Sequence, residues 1–167
     1  MEKKVIQEII LQQKDFIRKI KLQRRDISID TSGNYVFVGI RRAGKTYMLY
    51  QYIQQMLSEG RDIREILFVN FEDERIADMC KEELHTVIDA YRELFSHEPV
   101  VFLDEIQNID GWEHFARRLA DEGRRVFITG SNAHMLSREI ASTLGGRFII
   151  KEVWPFSFSE YLQYKGM

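Results

Sequence analysis

The sequence predicts an α/β fold, with a mostly parallel central sheet of about five strands carrying helices on both faces. Three observations predict it. Short β-branched and aromatic runs alternate with helical patterns along the chain, as strand–helix–strand units do. One run, Val100-Val101-Phe102-Leu103, is apolar at consecutive positions, which suits a central strand covered on both faces. Finally, Gly39-Ile40-Arg41-Arg42-Ala43-Gly44-Lys45-Thr46 fits a glycine, four residues, then Gly-Lys-Thr, set between a strand pattern and a helix pattern. Together they predict a three-layer sandwich of the P-loop NTPase type.

That loop carries the chemistry. Tyr35-Val36-Phe37-Val38 reads as the buried strand before it, and Met48, Leu49, Tyr52, Ile53, Met56 and Leu57 recur at helical spacing after it, up to Gly60. Such a loop wraps a polyphosphate with backbone N–H groups, and the helix adds its unpaired N–H groups and dipole. Gly39 and Gly44 let the backbone turn tightly, with Arg41, Arg42 and Ala43 between them and Tyr47 just after. Lys45 is placed for the β- and γ-phosphates, and the Thr46 hydroxyl for Mg²⁺. A glycine turn with a surface lysine is the bland alternative, and the flanking strand and helix argue against it.

At 167 residues the chain suits one domain, residues 1–167, with a helix and connector at 1–32 and a core at 33–167. A formal net charge of −2 announces no nucleic-acid partner. One cysteine, Cys80, excludes an internal disulfide and fits a reducing cytosol. No apolar run reaches membrane-spanning length and the amino terminus lacks a signal-peptide core, so a cytoplasmic protein is expected.

In chain order, residues 1–25 read as one amphipathic helix with Val5, Ile6, Ile9, Ile10, Phe16, Ile17 and Ile20 on its apolar stripe. Its basic end, Arg18, Lys19, Lys21, Arg24 and Arg25, reads as a solvated face, or else as a nucleic-acid or phosphate contact. Asp26 to Asn34 is a polar connector. Residues 65–71 read as a second strand. The acidic run Glu72-Asp73-Glu74 then starts a helix whose face carries Ile76, Met79, Cys80, Leu84, Val87, Ile88, Tyr91, Leu94 and Phe95. In that stripe Cys80 reads as core filler rather than a reactive thiol. His85 and His97 have no companions at metal-ligand spacing.

Asp104 and Glu105 end the apolar run, where ligands bind in open α/β sheets. Neighbouring strand residues point opposite ways, so the acids divide the work: Asp104 holds Mg²⁺ and Glu105 orients and deprotonates water. Asp110 and Glu113 suggest a capped helix whose inner face holds Trp112, Phe115, Ala116 and Leu119. Trp112 reads as core rather than a base-stacking platform. Arg117, Arg118, Arg124 and Arg125 read as a solvated face or a subunit interface.

A strand over 125–130 delivers Ser131 as the cap of a helix at 133–141, and Asn132 as a γ-phosphate or water sensor. Arg147, after Gly145-Gly146 and before the strand 148–150, is either a mobile cation for the γ-phosphate, its own or a neighbour's, or one half of an ion pair. Ser157 and Glu160 form a capping box, and Trp154, Phe156, Phe158 and Tyr161 want a surface to cover, the sheet's own edge or a following domain.

These blocks together resemble a prokaryotic group of AAA-superfamily ATPases, from about residue 33 onward: Gly39 to Thr46, Phe71-Glu72-Asp73, Leu103-Asp104-Glu105-Ile106-Gln107, Thr129-Gly130-Ser131-Asn132, Gly146-Arg147 and Pro155 to Glu160. The resemblance implies an ATPase core with the loop strand near the middle of the sheet, and adenine preference. It implies phosphate and Mg²⁺ binding by Lys45 and Thr46, a Walker B pair at Asp104 and Glu105, and the sensor position at Asn132. Members usually continue into a winged-helix-like segment and a further C-terminal domain. The chain therefore reads as the amino-terminal ATPase core of a longer protein.

Mg²⁺-dependent ATP hydrolysis driving a conformational change is thus the expected function, with catalytic Glu105, Lys45, Asn132 and Arg147. The alternative is a nucleotide-gated switch that turns over little and acts on a protein or DNA partner. A small-molecule kinase would need an acceptor pocket and an arginine-rich lid, and a GTPase an Asn-Lys-x-Asp motif. Expected partners are ATP, a homo-oligomeric neighbour, and a C-terminal domain or partner protein beyond this chain. Nucleic acid has no support from net charge, and no membrane is expected.

Overall fold

A computed structural model describes residues 1–30, 32–131 and 133–167. Strands β1 (Tyr35–Val38), β2 (Ile66–Asn70), β3 (Val100–Asp104), β4 (Val126–Gly130) and β5 (Ile149–Glu152) alternate with helices. These are α1 (Lys3–Lys19), α2 (Lys45–Ser58), α3 (His85–Leu94), α4 (Trp112–Asp121), α5 (Arg138–Leu144) and α6 (Phe158–Tyr164). The strands form one sheet in the order β2-β3-β4-β1-β5, and every pairing is parallel. β4 separates β1 from β3.

Alternation along the strands sorts the core chemically. Val36, Val38, Leu67, Val69, Val101, Leu103, Val126 and Ile128 face one layer, shared with α3, α4, α5 and Ile6, Ile9 and Ile10 of α1. The other face is aromatic: Tyr35, Phe37, Phe68, Phe102 and Phe127 pack against α2. Phe102 and Phe127 stack at 4.8 Å, and Phe37 lies 5.8 Å from Tyr52 of α2. Burying each such ring contributes roughly 1.5–3 kcal/mol, so these stacks fix β3, β4 and β1 side by side.

α1 straddles the edge at β2, because Ile6 to Ile10 join the aliphatic layer while Ile17 joins the aromatic one. Its buried Lys14 donates to the carbonyls of Ile63 (2.9 Å) and Ile66, which blunts the exposed edge of β2. Burial lowers this lysine to about 8.

Several local expectations are corrected. The first helix ends at Lys19, not near residue 25: beyond it Ile20, Leu22, Ile27 and Ile29 pack against the α2 layer, with spacing that suits extended chain. The helix expected from the acidic run is confined to α3. Short 3-10 turns occupy Glu74–Ile76 and Lys81–Glu83, because the Asp73 carboxylate accepts from Arg75 N–H and Glu83 from Cys80 N–H. Cys80 is consequently exposed, not core filler. α4 starts from Gly111, in the left-handed region at φ 79°, instead of an Asp110 cap; Trp112 is buried as expected. The helix expected at 133–141 is a 3-10 turn, Ala133–Leu136, followed by α5, which Ser137 caps. Ser157 and Glu160 do form the capping box of α6, yet Trp154, Phe156, Phe158 and Tyr161 stay exposed and cover no edge. Arg124 is buried against Glu98 and Glu122, and Arg125 stacks on Phe127 and donates to the carbonyls of Asp30 and Gly33, so neither is a solvated face.

Candidate nucleotide site

The carboxyl ends of β1, β3 and β4 lie side by side, and the loop, Asp104, Glu105 and Ser131 stand at or just past them. The loop leaves β1 at Gly39, whose N–H bonds Gly130 O at the end of β4 (3.3 Å). A Cβ at Gly39 would lie 2.2 Å from Val153 O, so only glycine fits between β1 and the chain leaving β5. Arg42 (φ 66°) and Gly44 (φ 86°) both adopt the left-handed region, which curls the backbone into a ring before α2 begins. The N–H groups of the first turn of α2 have no partner within the helix and open into that ring, with the positive end of its dipole.

Lys45 is almost fully buried, 3% exposed, and donates to Gly39 O and Ile40 O at 2.9 Å each. Its ammonium lies 3.8 Å from Glu105 Oε1. Burial lowers the Lys45 pKa, and the Glu105 and Asp104 carboxylates oppose that shift. The Thr46 hydroxyl donates to Asp104 Oδ2 at 2.8 Å. Asp104 is wholly buried and also accepts from Thr129 Oγ1 at 2.5 Å. Burial raises it to about 6, against the lowering effect of the two threonine hydroxyls.

Glu105 turns the chain out of β3 in the left-handed region, φ 55° and ψ 42°, a strained conformation for a residue with a Cβ. Three partners hold it there. Its N–H donates to Thr129 Oγ1 (2.9 Å), and its carboxylate accepts from Ser131 Oγ at 2.8 and 2.9 Å and from Gln107 Nε2 at 2.6 Å. Thr129 thereby joins the two acids through one hydroxyl. Ser131 donates to Glu105, and the helix that follows, α5, is capped by Ser137 instead, which corrects the expectation for Ser131.

The remaining expected residues divide. Arg41 is exposed and pairs with Glu72 at 2.6 Å; Arg42 is exposed as well. Ala43 is buried, and Tyr47 is exposed with its ring edge-on to Tyr50. Asn132 lies outside the described residues. Arg147 pairs with Asp121 at the end of α4 and donates to Gly145 O. Since Tyr35 pairs with Ile149 and Val38 with Glu152, Arg147 sits at the amino end of the sheet, a strand's length of about 13 Å from the loop. The reading in which Arg147 meets its own γ-phosphate is therefore corrected; the ion pair at the strand start is what it makes.

Four residues at the site have roles that the sequence does not assign to them. Thr129 and Gln107 stand inside the blocks that carry the family resemblance, but neither has a role there. Ser131 was given another role. Arg25 was hidden in a basic run, yet it is buried and donates to Ala43 O of the loop at 2.8 Å.

Among the described residues no group of three or more His, Cys, Asp or Glu gathers to hold a metal ion. Thr46 and Asp104 offer two hard oxygens in mutual contact, a donor set that suits Mg²⁺. No helix among the described residues is long and apolar enough to cross a membrane.

The chain is 38% identical over 169 residues to an uncharacterized protein of Methanocaldococcus jannaschii, MJ1544, covering 99% of this chain and 37% of that protein. It is 35% identical over 148 residues to an uncharacterized protein of Haemophilus influenzae, covering 83% of this chain and 35% of the relative. The chain spans about a third of the length of these curated relatives. Residues 32–162, which include every strand and the whole loop, match the AAA domain, and the chain belongs to that family of P-loop ATPase-type domains.

Proposed function

We propose that this domain binds Mg·ATP in the Gly39–Thr46 loop, hydrolyses it, and couples nucleotide state to a conformational change. One observation carries the reading: Lys45 and Thr46 of the loop meet Glu105 and Asp104 at the end of β3, across the gap that β4 spans. Lys45 is already beside the loop carbonyls and neutralises charge on the transferring phosphoryl group. Thr46 and Asp104 would hold Mg²⁺, which when bound would supply positive charge against the phosphates. Glu105 accepts the proton of the attacking water once one of its oxygens is released by Ser131 or Gln107.

A second reading has its own support. Ser131 reaches both Glu105 oxygens and Gln107 reaches one, so the base is engaged at rest, which favours a nucleotide-gated switch with little turnover. Phosphate release from Mg·ATP, measured over a range of protein concentrations together with ATP binding, separates the two. The hydrolase reading expects Glu105→Gln to bind ATP without turnover and Lys45→Ala to lose both. Wild-type turnover equal to that of Glu105→Gln at every concentration hands the site to the switch. A rate per subunit that climbs with concentration, and that Arg147→Ala abolishes, assigns this arginine to a neighbour's site.

A further inference from the structure

Arg25 lies in the extended connector between α1 and β1, and only 7% of it is exposed. Its guanidinium is spent in three directions. Nη1 donates to Ala43 O of the loop (2.8 Å), and Nη2 to Trp154 O just past β5 (2.8 Å). Nε and Nη2 form a fork onto the Glu160 carboxylate of α6, at 3.1 and 3.3 Å. Phe156 closes over the guanidinium at 5.2 Å. The backbone of Arg25 is itself clamped: its N–H donates to Gln51 Oε1, and Gln51 Nε2 donates to its carbonyl, so α2 fixes where the side chain starts.

The bond to Ala43 O has a consequence inside the loop. A trans peptide carries its C=O and the following N–H on opposite edges of one plane. With Ala43 O held outward by Arg25, the N–H of Gly44 points the other way, toward the inside of the ring where a phosphate would lie. Gly44 has φ 86°, a region only glycine enters freely, so nothing in its own side chain stops this peptide from rotating. The orienting contact comes from Arg25, and Arg25 is in turn held by α6. The Arg25 guanidinium holds Glu160 below the usual carboxylate range, so the fork is between full charges.

We infer that Arg25 is a positioning residue for phosphate binding: it sets the Ala43–Gly44 peptide so that Gly44 N–H faces the nucleotide, and Glu160 of α6 sets Arg25. Docking of the C-terminal segment against Arg25 thereby governs nucleotide affinity. The inference rests on the loop being the Mg·ATP site.

Its test compares wild type, Arg25→Ala, Arg25→Lys, Glu160→Gln and the double variant Arg25→Ala/Glu160→Gln. For each, Kd is measured for Mg·ATP and for magnesium pyrophosphate, with folding checked by urea denaturation of the same samples. Arg25→Ala is expected to weaken both ligands equally, by about 10- to 100-fold, the worth of one hydrogen bond to a charged group. Lysine in its place reaches one partner at a time and restores only part of that loss. Glu160→Gln weakens both ligands by a smaller factor, and adding it to Arg25→Ala changes nothing further, because both act on one peptide. If Arg25→Ala does not fold, Glu160→Gln, which keeps the shape of the fork, carries the test alone. Wild-type affinity in folded Arg25→Ala or Glu160→Gln overturns the inference, and so does a loss seen with Mg·ATP but not with pyrophosphate. Wild type that binds neither ligand overturns it by removing the nucleotide reading beneath it, a result distinct from variants that bind as wild type does.

Discussion

Replacing Thr129 by valine tests whether one buried hydroxyl organises both acids. The two side chains have nearly the same shape, so the substitution deletes hydrogen bonds and little else. In the protein Thr129 is wholly buried, gives its proton to Asp104 Oδ1 and accepts from Glu105 N–H. A hydrogen bond to a charged group contributes about 1.5–3 kcal/mol, and a buried N–H left without an acceptor costs about 1–3. The added methyl recovers less than about 1 kcal/mol of apolar burial. A net loss of about 3 kcal/mol follows, or a fall in Tm of roughly 6–12 °C for a chain of this size. Thr129→Ser keeps both bonds and loses one methyl, for about 1 kcal/mol. Urea denaturation of the metal-free protein near neutral pH reads both variants directly. The valine variant also releases Asp104 from a contact that lowers its pKa, so its carboxyl moves further up and Mg²⁺-dependent nucleotide binding weakens. Equal stability of the valine and serine variants, within about 0.5 kcal/mol, refutes the bridging role.

Three further outcomes are expected. Burial lifts Asp104 from 3.8 to about 6, so its stabilising contribution is complete below the unfolded value and is lost as pH rises through about 6. Relative to wild type in EDTA, Asp104→Asn should therefore gain roughly 2 kcal/mol between about pH 4.5 and 7.5, while losing Mg²⁺-dependent nucleotide binding. A pH-independent difference between the two in urea denaturation contradicts this. Gly39→Ala must push Val153 O away from a contact of 2.2 Å, separating the loop from β5; a stability loss of about 1–3 kcal/mol and weaker nucleotide binding are expected, and wild-type values for both rule the clash out. Lys14→Ala uncovers the carbonyls of Ile63 and Ile66 at the β2 edge and is expected to cost about 2 kcal/mol without altering Mg·ATP affinity, whereas a changed affinity ties α1 to the site.

Where sequence and structure part, the cause is specific. Residues 72–84 carry apolar spacing that fits a helix, and Ile76, Met79 and Leu84 are indeed buried. Side-chain bonds at Asp73 and Glu83 divide that stretch into short turns, and Cys80 is turned outward as a result. Residues 20–25 likewise carry charge suited to a helix end, but Ile20 and Leu22 gain more from extended packing on the α2 layer.

The sequence by itself determined the loop, the strand and helix that flank it, the acids at the end of β3 and the capping box of α6. Each of these depends on backbone and side chains within a few residues of one another. Only the tertiary structure decided which side chains meet: Thr46 with Asp104, 58 positions apart, Ser131 with Glu105, 26 apart, and Arg25 with Glu160, 135 apart. Those meetings depend on the order of parallel strands and on the path of the connector beside α2. Both are set by burying an aliphatic and an aromatic face at once, a balance summed over the whole chain.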